Sequence, residues 1–249
     1  KPIVLMAALA DKKVDTSMVV NTKRGSDVFY GRTIYDSGHN HGEMSLARAF
    51  EKSSNIAMAR VIDDAYKENP KQFIERLKSW GLHEPIGIDI HGEGKPNLPE
   101  PGKDNWSRNA LPSMAYGYNL TLTPLQQLTF YNAIANNGKM MRPYFVKEVR
   151  SRNKIIKSYK PEVINNQIAS KEVIAQVQDL LLNVVKRGTG RTFDSPYYSI
   201  AGKTGTAQTE YWMKDWKANP RYVSSFAGYF PAENPKYSCI VVIHKPKAA

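Results

Sequence analysis

The 249-residue sequence contains a single cysteine, Cys239, and this scarcity excludes two kinds of site. One thiol cannot form an intrachain disulfide, and it cannot supply the paired cysteines of a C-x-x-C zinc site. Cys239 lies in the strand-like run 237–243, where a cysteine behaves as a small buried hydrophobic residue. Neither a disulfide framework nor thiol catalysis is therefore expected. Cysteine content alone does not separate the cytoplasm from the periplasm.

Long apolar runs are missing as well. No stretch approaches the ~18 consecutive apolar residues that a membrane-spanning helix needs, and no signal-peptide pattern opens the chain. Hydrophobic residues make up 41% of the sequence, which is enough for one substantial core. We therefore expect a domain outside the bilayer, with any membrane anchor in sequence beyond this chain.

Acidic residues are the minority among the charged ones. The 23 Asp and Glu residues against 35 Lys and Arg give a formal net charge of +12. Such a surface favours anionic partners, such as nucleic acid, acidic lipid headgroups or a polyanionic cell wall. No helix-turn-helix, zinc-finger or RNP-type pattern is present, so nucleic acid is not an expected partner. Solvated charge without a specific partner explains the composition equally well.

Hydrophobic periodicity and turn signals predict a mixed fold. Three strands close the chain, and their short connections imply an antiparallel sheet. Helices earlier in the chain would cover its faces, which gives an α+β domain. The predicted helices are 1–10, 45–52, 54–66, 70–81, 123–138 and 171–186, and the predicted strands are 198–209, 222–230 and 237–244.

The first of these strands carries Lys203 between two glycines, Gly202 and Gly205. Glycine within a strand often marks a place where another backbone or a ligand comes close. Lys203, with the hydroxyls of Thr204 and Thr206, could bind a substrate carboxylate and an extended peptide. Because K-T-G is a short motif, an ordinary edge strand with solvated polar residues is the alternative.

A second motif, Ser53-Ser54-Asn55, lies at the predicted junction of two helices. Side chains at such a junction can project into a cleft. Serine and asparagine are also favoured as helix caps, so an ordinary cap is the alternative for this motif.

The two motifs occur in the order typical of penicillin-binding proteins and class A β-lactamases, whose signature is S-x-x-K, an S-D-N-type triplet and K-T-G. Over nearly all of residues 1–249, the chain resembles the transpeptidase domain of a class B penicillin-binding protein, and most of all the cell-division, penicillin-binding protein 3 type. The resemblance aligns Lys1 with the lysine of S-x-x-K and places the nucleophilic serine three residues upstream. It implies the fold shared by penicillin-binding proteins and serine β-lactamases. The family's N-terminal strands, nucleophile and C-terminal helix are then expected outside this domain fragment.

The resemblance also implies catalytic roles. Lys1 would act as the base for the serine, held partly neutral by burial and by the neighbouring cation Lys203. Ser53 would relay a proton between Lys1 and the leaving amine. Asn55 would hold Lys1 and bind a substrate amide.

The strand would bind the substrate. Lys203, Thr204 and Thr206 would hold the terminal carboxylate of a D-alanyl-D-alanine stem peptide, and the Thr206 N–H would be one oxyanion donor. Gly202 and Gly205 would leave room for the stem along the strand. No metal or cofactor is implied.

The implied activity is peptidoglycan cross-linking through a serine acyl-enzyme in septal cell-wall synthesis. β-Lactam antibiotics would acylate the same serine, and membrane proteins of the division complex are expected partners. The implied location is the periplasmic face of the inner membrane, reached through an anchor outside this chain. The chain as given is expected to be inactive and to expose an apolar sheet edge along 237–244.

Three other functions fit the same motifs. A serine β-lactamase would need a glutamate-held water for deacylation, and no such glutamate is identifiable. A penicillin-sensing domain would form a stable acyl-enzyme without a transfer product. A degenerate homologue could act as a scaffold in a division complex.

Two weaker signals remain. His39 and His41 lie in a predicted loop, where a metal site is conceivable, but no third ligand is apparent. Residues 187–192, Arg-Gly-Thr-Gly-Arg-Thr, lack the spacing of a phosphate-binding P-loop and follow a helix instead of preceding one. We therefore do not expect a phosphate site there.

Overall fold

The computed structural model describes residues 1–38, 42–210, 213–215 and 218–246. His39 and His41, considered above as metal ligands, lie outside the described residues. None of the helices in this described part combines the length and apolar character that crossing a bilayer requires.

Seven α-helices are found in the described residues, and each predicted helix is among them. Serine or threonine begins several of them, because a side-chain oxygen can accept a first-turn N–H. Thr123 and Gln126 form a full capping box at the start of the helix Pro124–Ala135. The helices are α1 Pro2–Ala10, α2 Leu46–Glu51, α3 Asn55–Tyr66, α4 Pro70–Ser79, α5 Ala110–Ala115, α6 Pro124–Ala135 and α7 Lys171–Arg187. The short helix α5 is not among the helices predicted from the sequence.

The three C-terminal strands are β9 Ala201–Thr209, β10 Arg221–Phe230 and β11 Tyr237–His244. They form an antiparallel sheet in the order β11-β10-β9. Helix α7 packs against β9, and α6 packs against β10 and β11. The predicted α+β architecture is therefore confirmed. Within the described residues β11 is an edge strand, with exposed apolar side chains at Tyr237, Val241 and Ile243.

Short two-stranded sheets lie outside this framework. The pairs are β1 Val19–Asn21 with β4 Glu43–Ser45, β2 Ser26–Phe29 with β3 Arg32–Tyr35, β5 Met140–Met141 with β8 Val163–Asn165, and β6 Glu148–Ser151 with β7 Lys154–Ser158. In the pair β2–β3, the second strand ends at Tyr35, immediately before Asp36, a residue of the candidate site described below.

The core is one contiguous cluster centred on helices that are apolar on most faces. Helix α1 is buried over nearly its whole length, as its composition predicts. Helix α6 is less regular: Leu125 and Leu128 are only half-buried, whereas Gln126 and Phe130 are buried. Gln126 faces inward because its side chain closes the capping box and donates from Nε2 to Glu84 O at 2.9 Å.

Candidate active site

Lys1 lies at the N-cap of α1, and the burial of that helix fixes its position. Pro2 occupies the first helical position, where a missing N–H is no loss, and Leu5 N donates to Lys1 O at 3.0 Å. Burial of the Lys1 amine lowers its pKa from 10.5 to about 8, although the negative charge of Asp36 opposes this shift. A minority of such amines is unprotonated at neutral pH, and this is the form a general base needs.

Ser53 and Asn55 flank Ser54 in the tight turn between α2 and α3, so the predicted helix junction is confirmed. Ser53 has a φ of 60°, a left-handed conformation that a non-glycine residue adopts only where its surroundings require it. Ser54 caps α3, because its Oγ accepts a hydrogen bond from Ala57 N at 3.0 Å. Asn55 is then the first residue of the helix.

Asp36, which the sequence analysis did not single out, holds this turn in place. Its carboxylate accepts hydrogen bonds from Ser54 Oγ at 2.7 Å, Asn55 N at 2.5 Å and Ile56 N at 3.1 Å. A carboxylate at a helix N-terminus pairs with otherwise unpartnered N–H groups and with the positive end of the helix dipole. The same carboxylate acts electrostatically on Lys1. Asp36 therefore links the turn to Lys1.

The Asn55 side chain is placed differently from the expectation that it holds Lys1. Its Nδ2 donates to Tyr35 O at 2.8 Å, at the end of β3. Among the described residues, no hydrogen bond joins Asn55 to Lys1, and that part of the expectation is wrong for this structure. Asp36 follows Tyr35 in the chain and accepts a hydrogen bond from the backbone N–H of Asn55. This bond keeps the side-chain amide of Asn55 close to the end of β3.

Lys203 lies on β9 with only 4% of its surface exposed. Its Nζ donates to Thr189 Oγ1 at 3.2 Å and to Thr204 O at 3.4 Å. Burial lowers the pKa of Lys203 from 10.5 to about 7, and the positive charge of Lys1 lowers it further. The positive charge of Lys1 therefore acts on the buried Lys203 amine.

Thr189 is a second residue that sequence reasoning missed. It follows α7 in the Gly188–Gly190 turn, and its Oγ1 lies 2.9 Å from Thr204 Oγ1 as well as within hydrogen-bond distance of Lys203. The available signal was the Gly-Thr-Gly sequence itself. This threonine lies between two glycines in the turn that precedes the K-T-G strand.

The outer edge of β9 presents backbone N–H groups on the side away from β10. Gln208 N donates to Tyr118 Oη at 3.0 Å, so this N–H points away from β10. Because N–H groups two residues apart in a regular antiparallel strand point the same way, those of Thr206 and Thr204 also face the outer edge. The pairing of β9 with β10 is continuous over these residues. The Thr206 side chain is exposed, and that of Thr204 is half-buried.

The two glycines of the strand are explained by packing between β9 and β10. A Cβ on Gly202 would lie 2.4 Å from the Phe226 ring, and one on Gly205 would lie 2.7 Å from Ser225 Oγ. A missing side chain at these positions therefore lets the two strands approach closely. That the glycines also leave room for a bound peptide stays a prediction.

The structure thus brings the separate motifs together. Lys1 interacts electrostatically with both Asp36 and Lys203, and Asp36 bonds the Ser54–Asn55 turn directly. Two amines with lowered pKa values, a hydroxyl-rich turn and an open row of N–H groups can support acyl transfer to or from a peptide carbonyl. A cavity of about 420 Å³ lies elsewhere, between Ile88, Tyr144 and Tyr159. None of its lining residues belongs to this cluster.

Comparison with known proteins gives the same assignment over the whole chain. Residues 1–249 match the family model described as the penicillin binding protein transpeptidase domain. The chain is 31% identical over 264 residues to stage V sporulation protein D of Bacillus subtilis, covering 99% of this chain and 38% of that protein. It is 27% identical over 252 residues to the peptidoglycan D,D-transpeptidase FtsI of Escherichia coli, covering 100% of this chain and 39% of that protein.

A solved structure is similar as well. Penicillin-binding protein 3 of Mycobacterium tuberculosis, complexed with aztreonam, matches with a TM-score of 0.83 and 27% sequence identity, over 98% of this chain and 55% of that one. The chain spans about two fifths of the length of the curated relatives it matches. Since the family model covers every residue and the fold agrees with solved members, the chain belongs to the penicillin binding protein transpeptidase domain family.

Proposed function

We propose that this chain is the catalytic domain of a peptidoglycan D,D-transpeptidase that cross-links stem peptides in septal wall synthesis through a serine acyl-enzyme. Its nucleophile would be a serine three residues before Lys1, as the S-x-x-K motif requires. The name of the Escherichia coli relative, peptidoglycan D,D-transpeptidase FtsI, supports this activity.

The observation that carries the proposal is the pair of buried amines, Lys1 and Lys203. Burial lowers the pKa of both amines, and the charge of Lys1 lowers that of Lys203 further, so the pair readily loses one proton near neutral pH. A substrate carboxylate beside Lys203 would keep the proton there. Protonated Lys203 would then favour the neutral form of Lys1, so that substrate binding itself prepares the base.

In the acylation step, neutral Lys1 takes the proton of the serine hydroxyl while the oxygen attacks the carbonyl carbon of the penultimate D-alanine. A C–O bond forms, and negative charge develops on the carbonyl oxygen. The Thr206 N–H on the outer edge of β9, with the N–H of the serine, would stabilise this charge. The C–N bond then breaks, and the proton passes through Ser53 to the departing D-alanine amine.

The transfer step reverses these movements. The amine of a neighbouring stem peptide attacks the acyl-enzyme carbonyl and gives up a proton towards Ser53 and Lys1. A C–N bond forms, the C–O bond breaks, and the serine oxygen regains its proton. Each step uses side chains and backbone groups alone, without a metal or cofactor.

The binding surface would be the outer edge of β9. The terminal carboxylate of the stem would pair with Lys203 and accept hydrogen bonds from Thr204 and Thr206. The peptide would extend beside Gly202 and Gly205 towards Tyr118, which already bonds the edge at Gln208. An added strand in this position gains main-chain hydrogen bonds without fixing the peptide sequence.

The same site would accept β-lactams, because their ring amide and carboxylate occupy the positions of the stem's terminal amide and carboxylate. The solved relative complexed with aztreonam supports this part of the proposal. We further propose that the domain works at the periplasmic face of the inner membrane, beside membrane proteins of the division complex and anchored through a segment outside this chain.

The test uses protein that extends upstream of Lys1. We expect a fluorescent penicillin to label it covalently, and the Lys1→Met substitution to slow labelling by about 100-fold or more. A residue other than serine three positions before Lys1, or an unlabelled wild-type protein, would overturn the proposal. Fast steady-state hydrolysis of a chromogenic cephalosporin would indicate a β-lactamase instead.

A further inference from the structure

The hydroxyl of Thr189 lies between two groups that the proposed function assigns to carboxylate binding. It is 3.2 Å from Lys203 Nζ and 2.9 Å from Thr204 Oγ1. Neither contact is local, because Thr189 belongs to the turn after α7 whereas the other two residues lie on β9. One oxygen therefore contacts both the cation and the adjacent hydroxyl.

Thr189 is held rigidly in this position. Its N–H donates to Glu51 O at 3.1 Å, and the N–H groups of both flanking glycines donate to Val184 O at 3.0 Å. A Cβ on Gly188 would lie 2.4 Å from Glu51 O, so only glycine allows this close approach of α2 to the turn. The turn is thus built around a fixed threonine.

The hydrogen-bonding capacity of these groups sets the direction of each bond. An ammonium group only donates, whereas a hydroxyl carries one hydrogen and two lone pairs. When Lys203 is protonated, Thr189 Oγ1 accepts from it and is free to donate its own hydrogen to Thr204 Oγ1. The Thr204 hydroxyl then keeps its hydrogen for an anion on the open edge. Without Thr189, neither Lys203 nor Thr204 favours this orientation of the Thr204 hydroxyl.

We infer that Thr189 is a positioning residue, which aligns the Lys203 ammonium and the Thr204 hydroxyl so that both face the carboxylate of the substrate or of a β-lactam. This inference rests on the proposed function. It adds a residue of the α7 turn to a carboxylate site otherwise built from β9. Thr189 itself touches neither the scissile bond nor the serine in this assignment.

The experiment compares Thr189→Val, which keeps the shape but loses the hydroxyl, with Thr189→Ser, which keeps the hydroxyl. Thr192→Val serves as the matched control, because Thr192 is exposed in the 3₁₀ turn Arg191–Phe193. Stopped-flow acylation of protein extended upstream of Lys1 separates the apparent binding constant from the maximal acylation rate. Each variant is measured with benzylpenicillin and with its methyl ester, which lacks the charged carboxylate.

We expect Thr189→Val to weaken the apparent binding of benzylpenicillin by about 10-fold, with a smaller effect on the maximal rate. Thr189→Ser should restore most of the binding, Thr192→Val should resemble wild type, and the ester should bind all four proteins alike. Unchanged benzylpenicillin binding in Thr189→Val would overturn the inference while leaving the proposed function intact. Equal losses for acid and ester would also overturn it, since they would indicate general damage to the fold. A wild-type protein that is not acylated at all would remove the proposed function and the inference with it.

Discussion

The carboxylate of Glu51 accepts a hydrogen bond of 2.7 Å from Nη2 of Arg187, and this contact joins the end of α2 to the end of α7. The Glu51 side chain is fully buried, whereas that of Arg187 is 59% exposed. Arg48 donates to the same carboxylate at 2.8 Å. Because Ser53 follows α2 and Thr189 follows α7, this ion pair fixes two segments of the candidate active site relative to each other.

Arg187→Met and Glu51→Met should lower the free energy of unfolding by different amounts. Arg187→Met leaves a buried carboxylate with Arg48 as its remaining partner, so we expect a loss of about 2–3 kcal/mol in the free energy of unfolding. Glu51→Met leaves two arginines that can be hydrated at the surface, and we expect about 1 kcal/mol. Urea denaturation measures both values. Arg191→Met, at an exposed position nearby, should change stability by less than about 0.5 kcal/mol.

The cost of Arg187→Met should also depend on pH. Burial raises the pKa of Glu51, but its hydrogen bonds to Arg187 and Arg48 outweigh burial and lower the pKa overall. A carboxyl group with a lowered pKa stabilises the fold above its unfolded pKa and loses this contribution as the pH falls through its folded value. The difference between wild type and Arg187→Met should therefore shrink on acidification. A larger loss in Glu51→Met than in Arg187→Met would contradict this account of the pair.

Gly188 and Gly190 offer a matched test of the turn that carries Thr189. A Cβ on Gly188 would meet backbone atoms at 2.4 and 2.8 Å, whereas the nearest atoms to a Cβ on Gly190 are at 3.3 Å. We expect Gly188→Ala to lower the free energy of unfolding by about 2–3 kcal/mol and Gly190→Ala by about 1 kcal/mol or less. Thermal and urea denaturation give the comparison. Equal effects would mean that the turn shifts easily and does not hold Thr189.

Local signals explain why much of the fold was predictable. The cap at Ser54 and the capping box of Thr123 and Gln126 depend on residues within one helical turn. Likewise, the strand that carries Lys203 is bounded by turn-rich sequence on both sides. These elements appear within a few residues of their predicted bounds, because neighbours along the chain determine them.

The partners of the site residues were not predictable in the same way. Asp36 lies 19 residues before Asn55, and Glu51 lies 136 residues before Arg187. Only the packing of β3 on α3 and of α2 on α7 brings these side chains together. The expected contact of Asn55 with Lys1 is absent from the described part of the chain for the same reason, because the sequence does not show that Asp36 and Tyr35 bind that turn. Sequence motifs indicate the candidate reacting groups, whereas the residues that hold them depend on tertiary packing.

Lys203→Met should stabilise the protein in a pH-dependent way. Burial and the charge of Lys1 lower the pKa of Lys203 from 10.5 to about 7. Between these two values the unfolded state binds more protons than the folded state, so wild-type stability rises with pH across this range. Below about pH 7 the folded state bears the whole cost of a buried charge. Methionine removes that cost, and we expect a gain of roughly 3 kcal/mol there.

The measurement is urea denaturation of both proteins from about pH 6 to pH 10. The advantage of Lys203→Met should decline steadily above about pH 7 and be lost near the unfolded pKa. Lys154→Met, at an exposed position of β7, is the matched control and should remain close to wild type at each pH. A difference that does not vary with pH would show that packing, and not the buried charge, distinguishes lysine from methionine at this position.

Asp36→Asn should move the pH dependence of acylation towards acid. The carboxylate of Asp36 raises the pKa of Lys1 against the larger lowering effect of burial, which leaves it at about 8. Asparagine has a similar shape without the charge, so the pKa of Lys1 should fall further. Because the base acts in its neutral form, the acid limb of the acylation rate should then shift to lower pH. Penicillin acylation between about pH 6 and pH 9 measures this limb.

The maximal acylation rate and the midpoint pH of that limb depend on different effects of the substitution. Asp36→Asn also weakens the bonds to Ser54 and Asn55, which should cost about 1–2 kcal/mol of stability and reduce the maximal rate. Only the loss of negative charge beside Lys1 moves the midpoint. Asp27→Asn, which breaks the ion pair with Arg60, is the matched control and should lower stability without moving the limb. A midpoint that stays fixed in Asp36→Asn, or moves towards alkaline pH, would mean that Lys1 is not the base whose titration limits acylation.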